Sequence, residues 1–361
     1  MNTTQSHIRL PILIVSVLAV VIGTYIVAVG SIKPIPPNGL QGGRRYLVFP
    51  YVSPNHQYIA LSYFGKNKYI RIIDLSTGHR SFIVSDVSIF NCVAIPWFFN
   101  STNLLVGNIQ NDKYYYYIIS RNGHIVEKVK IPSKYDSDAN AEPSVDGRNV
   151  AFSASSGIKS YACIWSLRKN LLHFIKIPEA GNISYISWLS TNRLVVFFNL
   201  TDAKGKTNKT LVYMLYLTTM RLQSVNFNIK GNVTSFSGSV SPYANIGGII
   251  AIRVKYENSQ QLMLYGLAKS SYVYINLPEA GLNWRVKWIN KYLIALWTYR
   301  ASGKLEIRKY NIKSRLMSRP ILFPPFAQES IDSDGTIWFW YKNNLYKSRS
   351  HEPTKMVIFN N

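Results

Sequence analysis

Carboxylates are scarce in this chain, and one run of them could do chemistry. The segment YDSDANAE (135–142) places Asp136, Asp138 and Glu142 in one loop between two repeats. Hard cations such as Ca²⁺ take several oxygen ligands from a flexible loop, so these three are the candidate metal ligands. The run lacks the glycine and terminal glutamate of an EF-hand, and a solvated loop is the plain alternative. Asp146 and Asp334 each precede a glycine, where a carboxylate caps local N–H groups and closes a turn between strands. They are expected to serve structure.

The remaining reactive types form no constellation. The histidines (His7, His56, His79, His124, His173 and His351) show no H-x-x-x-H or H-E-x-x-H spacing, and no G-x-S-x-G elbow exists. Cys92 and Cys163 lack metal spacing, and their expected strands lie too far apart for a disulfide, so both read as buried free thiols. No catalytic residue and no cofactor is assigned. Catalysis from residues scattered over several repeats would leave no linear trace. Glycosylation sequons occur at Asn100, Asn182, Asn199, Asn208 and Asn232. Asn199, just before the polar hairpin LTDAKGKTNKT, and Asn208, within it, are the preferred acceptors if the domain is external.

The charge balance has a specific cause. The 361 residues carry 41 Lys+Arg against 17 Asp+Glu, a formal charge of +24, yet only 16% are charged. Soluble proteins average about 25% charged residues, so the bases are ordinary in number and the acids are missing. The basic runs KNK (66–68), KVKIPSK (128–134), RK (168–169) and KSR (313–315) are dispersed, with no basic face of the kind nucleic acid needs. A surface poor in carboxylates suits an acid exterior, where Asp and Glu would titrate. That is the setting of a thermoacidophilic archaeon.

Residues 1–9 form a short tail, and LPILIVSVLAVVIGTYIVAV (10–29) is uncharged over the ~20 residues that cross a bilayer as a helix. The expected transmembrane helix covers 10–30 as an uncleaved signal anchor. A cleaved signal peptide would have a shorter apolar core and a small-residue cleavage site. Flanking positive charge is nearly balanced, and large domains translocate largely regardless of it. Residues 31–45, rich in Pro and then Gly, read as a stalk.

From 46 to 361 the sequence shows short β-rich runs with turn residues every 8–12 positions, the mark of an all-β fold. One unit recurs around anchors at Ser53, Trp97, Ser144, Trp188, Ser241, Trp288 and Asp332, which lie 44 to 53 residues apart. Two linkers repeat almost literally, IPEAGNISYISW (177–188) and LPEAGLNWRVKW (277–288). Each unit holds four strand-like runs, in the first unit near 46–52, 57–63, 68–74 and 80–84. The fold class is therefore all-β, a seven-bladed β-propeller of four-stranded blades over 46–361. TKMVIFN (354–360) supplies an outer strand for the last blade. The ring closes either by face packing alone or with strand 46–49 zipping onto blade seven.

The step S-P-[DN]-x-x-x-[IV]-A-[FL], met at Ser53–Leu61 and, with Val145 for proline, at Ser144–Phe152, resembles the TolB-type propeller repeat. SIDSDGTIW (330–338) is similar to the Asp box of sialidases, itself a structural turn. These resemblances imply a fold and carry no catalytic residue. Prolyl peptidases pair a propeller with a hydrolase domain, and the repeat is expected to leave no residues for one. Three readings follow. The first is a membrane-anchored, extracytoplasmic propeller on a single span, serving as a scaffold for a protein or glycan partner in an envelope complex, with no nucleic acid. The second is a propeller hydrolase or lyase acting on a surface glycan or lactone. The third is a cytoplasmic-facing propeller that binds anionic partners. Carboxylates or histidines converging on the central channel would favour the enzyme, and a small, apolar lining the scaffold.

Overall fold

The computed structural model describes residues 47–357, apart from 65–68, 78–80, 86–96, 138–140, 202–206, 226–234, 241–247, 256–258, 268–270, 278–283, 301, 326–327, 333, 342–343 and 349–354. The tail, span and stalk of 1–45, together with Cys92, Asp138, Asn232, His7, His79 and His351, lie outside the described residues. Among the described residues no helix is long and apolar enough to cross a membrane.

Among the described residues seven antiparallel sheets follow one another along the sequence. The first is Leu47–Val52, Tyr58–Phe64, Tyr69–Asp74 and Ser81–Ser85, paired in that order. Alternation explains its burial: Ile70 and Ile72 are buried between half-exposed Tyr69 and Arg71. The fourth, fifth and seventh sheets repeat this four-strand order. In the third the first strand is split into Asp136–Ser137 and Glu142–Pro143, both paired with Asn149–Ser156. In the sixth the outer strand is split into Leu316–Met317 and Ile321–Pro325. The second sheet shows three strands, with Trp97 bridging to Leu104 where a fourth would begin.

Both faces of every sheet are covered. Seven apolar clusters form, each between consecutive sheets: Ile72 meets Leu104, Leu105 meets Phe152, Ile164 meets Val196 and Phe197 meets Ile252. Ala251 then meets Leu296, and Ile307 meets Phe339. The seventh cluster joins Ile59 and Leu61 of the first sheet to Trp338 and Leu345 of the last, closing the cycle. Strand Leu47–Val52 pairs with its own sheet, and Lys355–Val357 is the outer strand of the seventh. Among the described residues closure is therefore by face packing, with no strand exchanged across the seam.

The first strands converge. Gly181–Ser190 touches Glu142–Pro143 on one side and Ser235–Val240 on the other, and Ser235–Val240 touches Arg285–Asn290. Indole N–H groups join successive first strands: Trp97 Nε1 donates to the Tyr51 carbonyl and Trp188 Nε1 to the Glu142 carbonyl, each at 2.8 Å. The repeated tryptophan thus satisfies a carbonyl of the preceding sheet.

Candidate functional site

Two clusters of charged side chains lie at inner positions of the sheets. One sits at the seam, in the turn 332–336 of the seventh sheet. The usual form of this turn is a hydroxyl donating to a residue two positions on. Ser53 Oγ donates to Asn55 Oδ1 at 2.7 Å, Ser144 Oγ to Asp146 Oδ1 at 2.6 Å, and Ser190 Oγ to Asn192 Oδ1 at 2.9 Å. The seventh sheet has Asp332 in the serine's place and Asp334 in the acceptor's. A carboxyl can take the hydroxyl's role only when it carries a proton. Burial, and then the Asp334 partner, accordingly push Asp332 up to about 7. The same hydrogen bond holds the Asp334 carboxylate well below the usual range.

Neighbouring sheets complete this cluster. Trp338 Nε1 donates to Asp332 Oδ2 at 2.7 Å, and His56 Nδ1 of the first sheet lies 3.2 Å from the same oxygen. The Thr336 amide donates to both carboxyls. Lys309 of the sixth sheet donates from Nζ to the Gly335 carbonyl at 2.6 Å, and burial lowers its pKa despite the two aspartates. His56 has φ 61°, matching Gly147 (φ 67°) and Gly335 (φ 84°) in corresponding turns, where each N–H donates three residues back. A left-handed residue with a Cβ is costly unless its surroundings fix it, and the Asp332 contact does so. His56, Asp332 and Asp334 bring their ligand atoms within 4.8 Å of one another, the grouping a metal ion would need. Indole, imidazole and amide already occupy the Asp332 oxygens and an ammonium lies alongside, so the cluster reads as a staple joining three sheets.

The second cluster lies where the first strands converge. Glu142 pairs with Ala151, Ser187 with Val195 and Lys287 with Ala295, which are corresponding positions of the third, fourth and sixth sheets. Glu142 Oε1 accepts from Ser187 Oγ at 3.3 Å. Glu142 keeps part of its surface exposed, but its Oε2 is buried without a hydrogen-bond partner. Burial pushes its carboxyl up to about 8, against the pull of the Ser187 hydroxyl, the Lys287 ammonium and the Trp188 amide.

Of the candidate metal ligands, the structure describes Asp136 and Glu142 and sets them apart along the third sheet. Asp136 is exposed and faces Ser155, whereas Glu142 faces Ala151, four residues along the same partner strand. At ~3.3 Å per residue their Cα atoms are about 13 Å apart. Asp146 accepts from Ser144 and from the Arg148 amide and works as a turn cap. His124 is exposed at a turn and His173 half-buried on the outer strand Leu171–Lys176. Cys163 is buried, its Sγ donating to the Tyr161 carbonyl at 3.7 Å. Asn100 is exposed, its Oδ1 accepting from Thr102 of its own sequon, and Asn182 is exposed opposite Asn199. Asn199 is half-buried and accepts from Thr210 Oγ1 at 2.8 Å, and Asn208 lies in the strand Thr207–Tyr216.

Motif reading passed over the Glu142–Ser187–Lys287 level and the His56 staple, because neither is contiguous. Both were recoverable by comparing repeats column by column. The residue before each anchor tryptophan of the duplicated linkers is Ser187 in one and Lys287 in the other, and His56 occupies the turn column of Gly147 and Gly335.

No family model and no curated protein matches the sequence. Solved structures do. The chain is similar to the β-propeller domain of the Trilobed protease from Pyrococcus furiosus, described as having an open Velcro topology. The TM-score is 0.63 at 11% identity, over 88% of this chain and 98% of that one. The protein is a β-propeller. It also resembles acylaminoacyl peptidase, with a TM-score of 0.62 and 11% identity over 86% of this chain and 53% of that chain. Hydrazine synthase of Kuenenia stuttgartiensis matches with a TM-score of 0.57 and 11% identity, over 88% and 99%. The propeller thus spans about half of the peptidase it matches. At such identities the likeness carries architecture alone.

Proposed function

We propose that this protein is a membrane-anchored, extracytoplasmic, seven-bladed β-propeller of TolB-type repeats that serves as an interaction scaffold in a cell-envelope complex. The observation that carries this reading is where apolar side chains meet solvent. Ile125 and Val126 (both 54% exposed), Leu171, Tyr272, Val273, Leu316 and Leu322 all lie on outer strands. Ile158 (79% exposed) tips the turn between the second and third strands of its sheet. Seven of the twelve large apolar side chains exposed among the described residues thus lie on outer strands, the sheet edges that a partner would cover. By contrast, the inner Asp332 and Asp334 are engaged in a turn and in hydrogen bonds between sheets, and Glu142 accepts from Ser187 through one oxygen. In support of an external setting, both inner acids with raised pKa values, Asp332 and Glu142, are best accommodated when protonated. Of the sequons with described side chains, Asn100 and Asn182 are the exposed ones and Asn199 is half-buried.

The experiment is affinity isolation of the full-length protein from gently solubilised native membranes, with mass spectrometry of whatever co-purifies. A stoichiometric protein partner is the expected result. Recovery alone with a bound sugar or metal would overturn the scaffold. A second reading, a propeller that serves a hydrolase, draws on the peptidase names among its structural neighbours. Co-purification of a hydrolase would favour it. Protease accessibility in intact cells and glycans on the sequons test the external placement. Protection until lysis would instead favour the cytoplasmic-facing arrangement.

A further inference from the structure

The turn 332–336 differs from its counterparts in where its proton comes from. In the first, third and fourth sheets a serine hydroxyl donates across the turn to Asn55, Asp146 or Asn192. A hydroxyl brings its own proton. In the seventh sheet two carboxyls, Asp332 and Asp334, take the donor and acceptor places, and the Thr336 amide bridges them at 2.9 and 2.8 Å. Two carboxyls can share a hydrogen bond only while one of them is protonated. The bond in this turn depends on the acidity of the solvent, whereas the other three need no borrowed proton.

This exchange of residue types falls at the seam, where Ile59 and Leu61 of the first sheet pack on Trp338 and Leu345 of the seventh. Asp332 is tied to both sides of that junction. Its Oδ2 accepts from Trp338 Nε1 at 2.7 Å and lies 3.2 Å from His56 Nδ1. Lys309 reaches the same turn from the sixth sheet, donating to the Gly335 carbonyl at 2.6 Å. Asp332 is buried and Asp334 exposed, so the pair can exchange its proton with solvent while the fold stays closed.

Four charged or titratable groups face Asp332 and its partners. They are Asp334 in the turn, His56 from the first sheet, Lys309 from the sixth, and Lys347 on the third strand of the seventh, 5.9 Å from the Trp338 ring. Lys309 and His56 favour the ionised pair, but burial, and next Asp334, outweigh them and hold the Asp332 proton to about 7. The proton is bound more tightly in the closed seam than in an open one, where water solvates both carboxylates. Closure is therefore favoured in acid and loses that advantage as pH rises through the closed-state value.

We propose that the seam is a proton-operated latch: one proton shared by Asp332 and Asp334 locks the seventh sheet to the first, and its release loosens the ring at this junction. The latch is independent of what covers the outer strands, and either can fail without the other.

Hydrogen exchange of the purified full-length protein, with EDTA throughout and protection corrected for the intrinsic pH dependence of exchange, tests it at about pH 5 and about pH 8. Peptides covering 47–64 and 337–341 should lose about tenfold or more in protection relative to those covering 249–266 in the fifth sheet. Asp332→Ser restores the hydroxyl of the other turns and should hold that ratio constant across the range. A ratio that does not change with pH in wild type, or that changes equally in Asp332→Ser, would overturn the latch. Should Asp332→Ser fail to fold, Asp334→Asn removes the second anion and is judged by the same ratio.

Discussion

A protonated acid does the work of a hydroxyl at Asp332, burial raises a second inner acid at Glu142, and together they set how stability should respond to pH. Glu142 and Asp332 are held at about 8 and about 7, above the ordinary carboxylate range. A group whose pKa is raised by folding contributes fully below its unfolded value, and that contribution is lost as pH rises through the folded value. Stability should therefore fall from about pH 5 to about pH 8. Glu142→Gln should flatten the upper part of this fall and gain on the order of a few kcal/mol at pH 9 relative to wild type. Urea unfolding of both proteins from pH 4 to 9 checks it, and parallel profiles would refute it. Asp332→Asn keeps a donor toward Asp334 and an acceptor toward Trp338, and should remove the lower part of the same slope. Asp334, with its lowered pKa, acts in the opposite sense and is lost only in strong acid. None of this could be read from Asp332 or Glu142 singly. What reveals it is the serine found at the corresponding position of other repeats, Ser53 for Asp332 and Ser187 for Glu142, and a single sequence shows this only once its units are superposed.

The repeating elements were legible because their chemistry is local. Alternation and turn residues mark the strands, and the first unit's four runs fall within two residues of those observed. Departures arise where one strand is interrupted. The inner strand of the third sheet is described as two pieces, Asp136–Ser137 and Glu142–Pro143, and Arg319-Pro320 splits the outer strand of the sixth. Proline has no N–H for the ladder, so the second break follows from its residue type, whereas the first has no such marker. Between elements, indole hydrogen bonds add to the apolar packing of the sheet faces. Trp188→Phe deletes the donor to the Glu142 carbonyl and should cost about 1–3 kcal/mol, read as a fall in Tm with the fold retained by circular dichroism. Gly181→Ala should be worse, because a Cβ there would meet the Asn199 carbonyl oxygen at 2.1 Å with φ at 152°. Soluble expression equal to wild type would contradict that close approach.

The cycle of sheets was legible from the period of the repeat, but its closure was not. Nothing in the sequence distinguishes a first strand that pairs within its own sheet from one that zips onto the last. The choice rests on packing between residues nearly 300 positions apart, such as Ile59 and Trp338. Held by faces and by the His56–Asp332 contact, the seam should open at lower free energy than the interior. In hydrogen exchange, peptides covering 47–64 and 337–341 should lose protection before those covering 149–166 and 193–199, and His56→Ala should widen the gap. Uniform protection would argue for a continuous ring. The central claim, that this propeller is a scaffold, is tested most directly by lysine cross-linking in intact cells with peptide mapping. Lys128 and Lys130, on the outer strand that exposes Ile125 and Val126, are predicted to join one partner protein reproducibly. Cross-links confined to this chain alone would contradict the account.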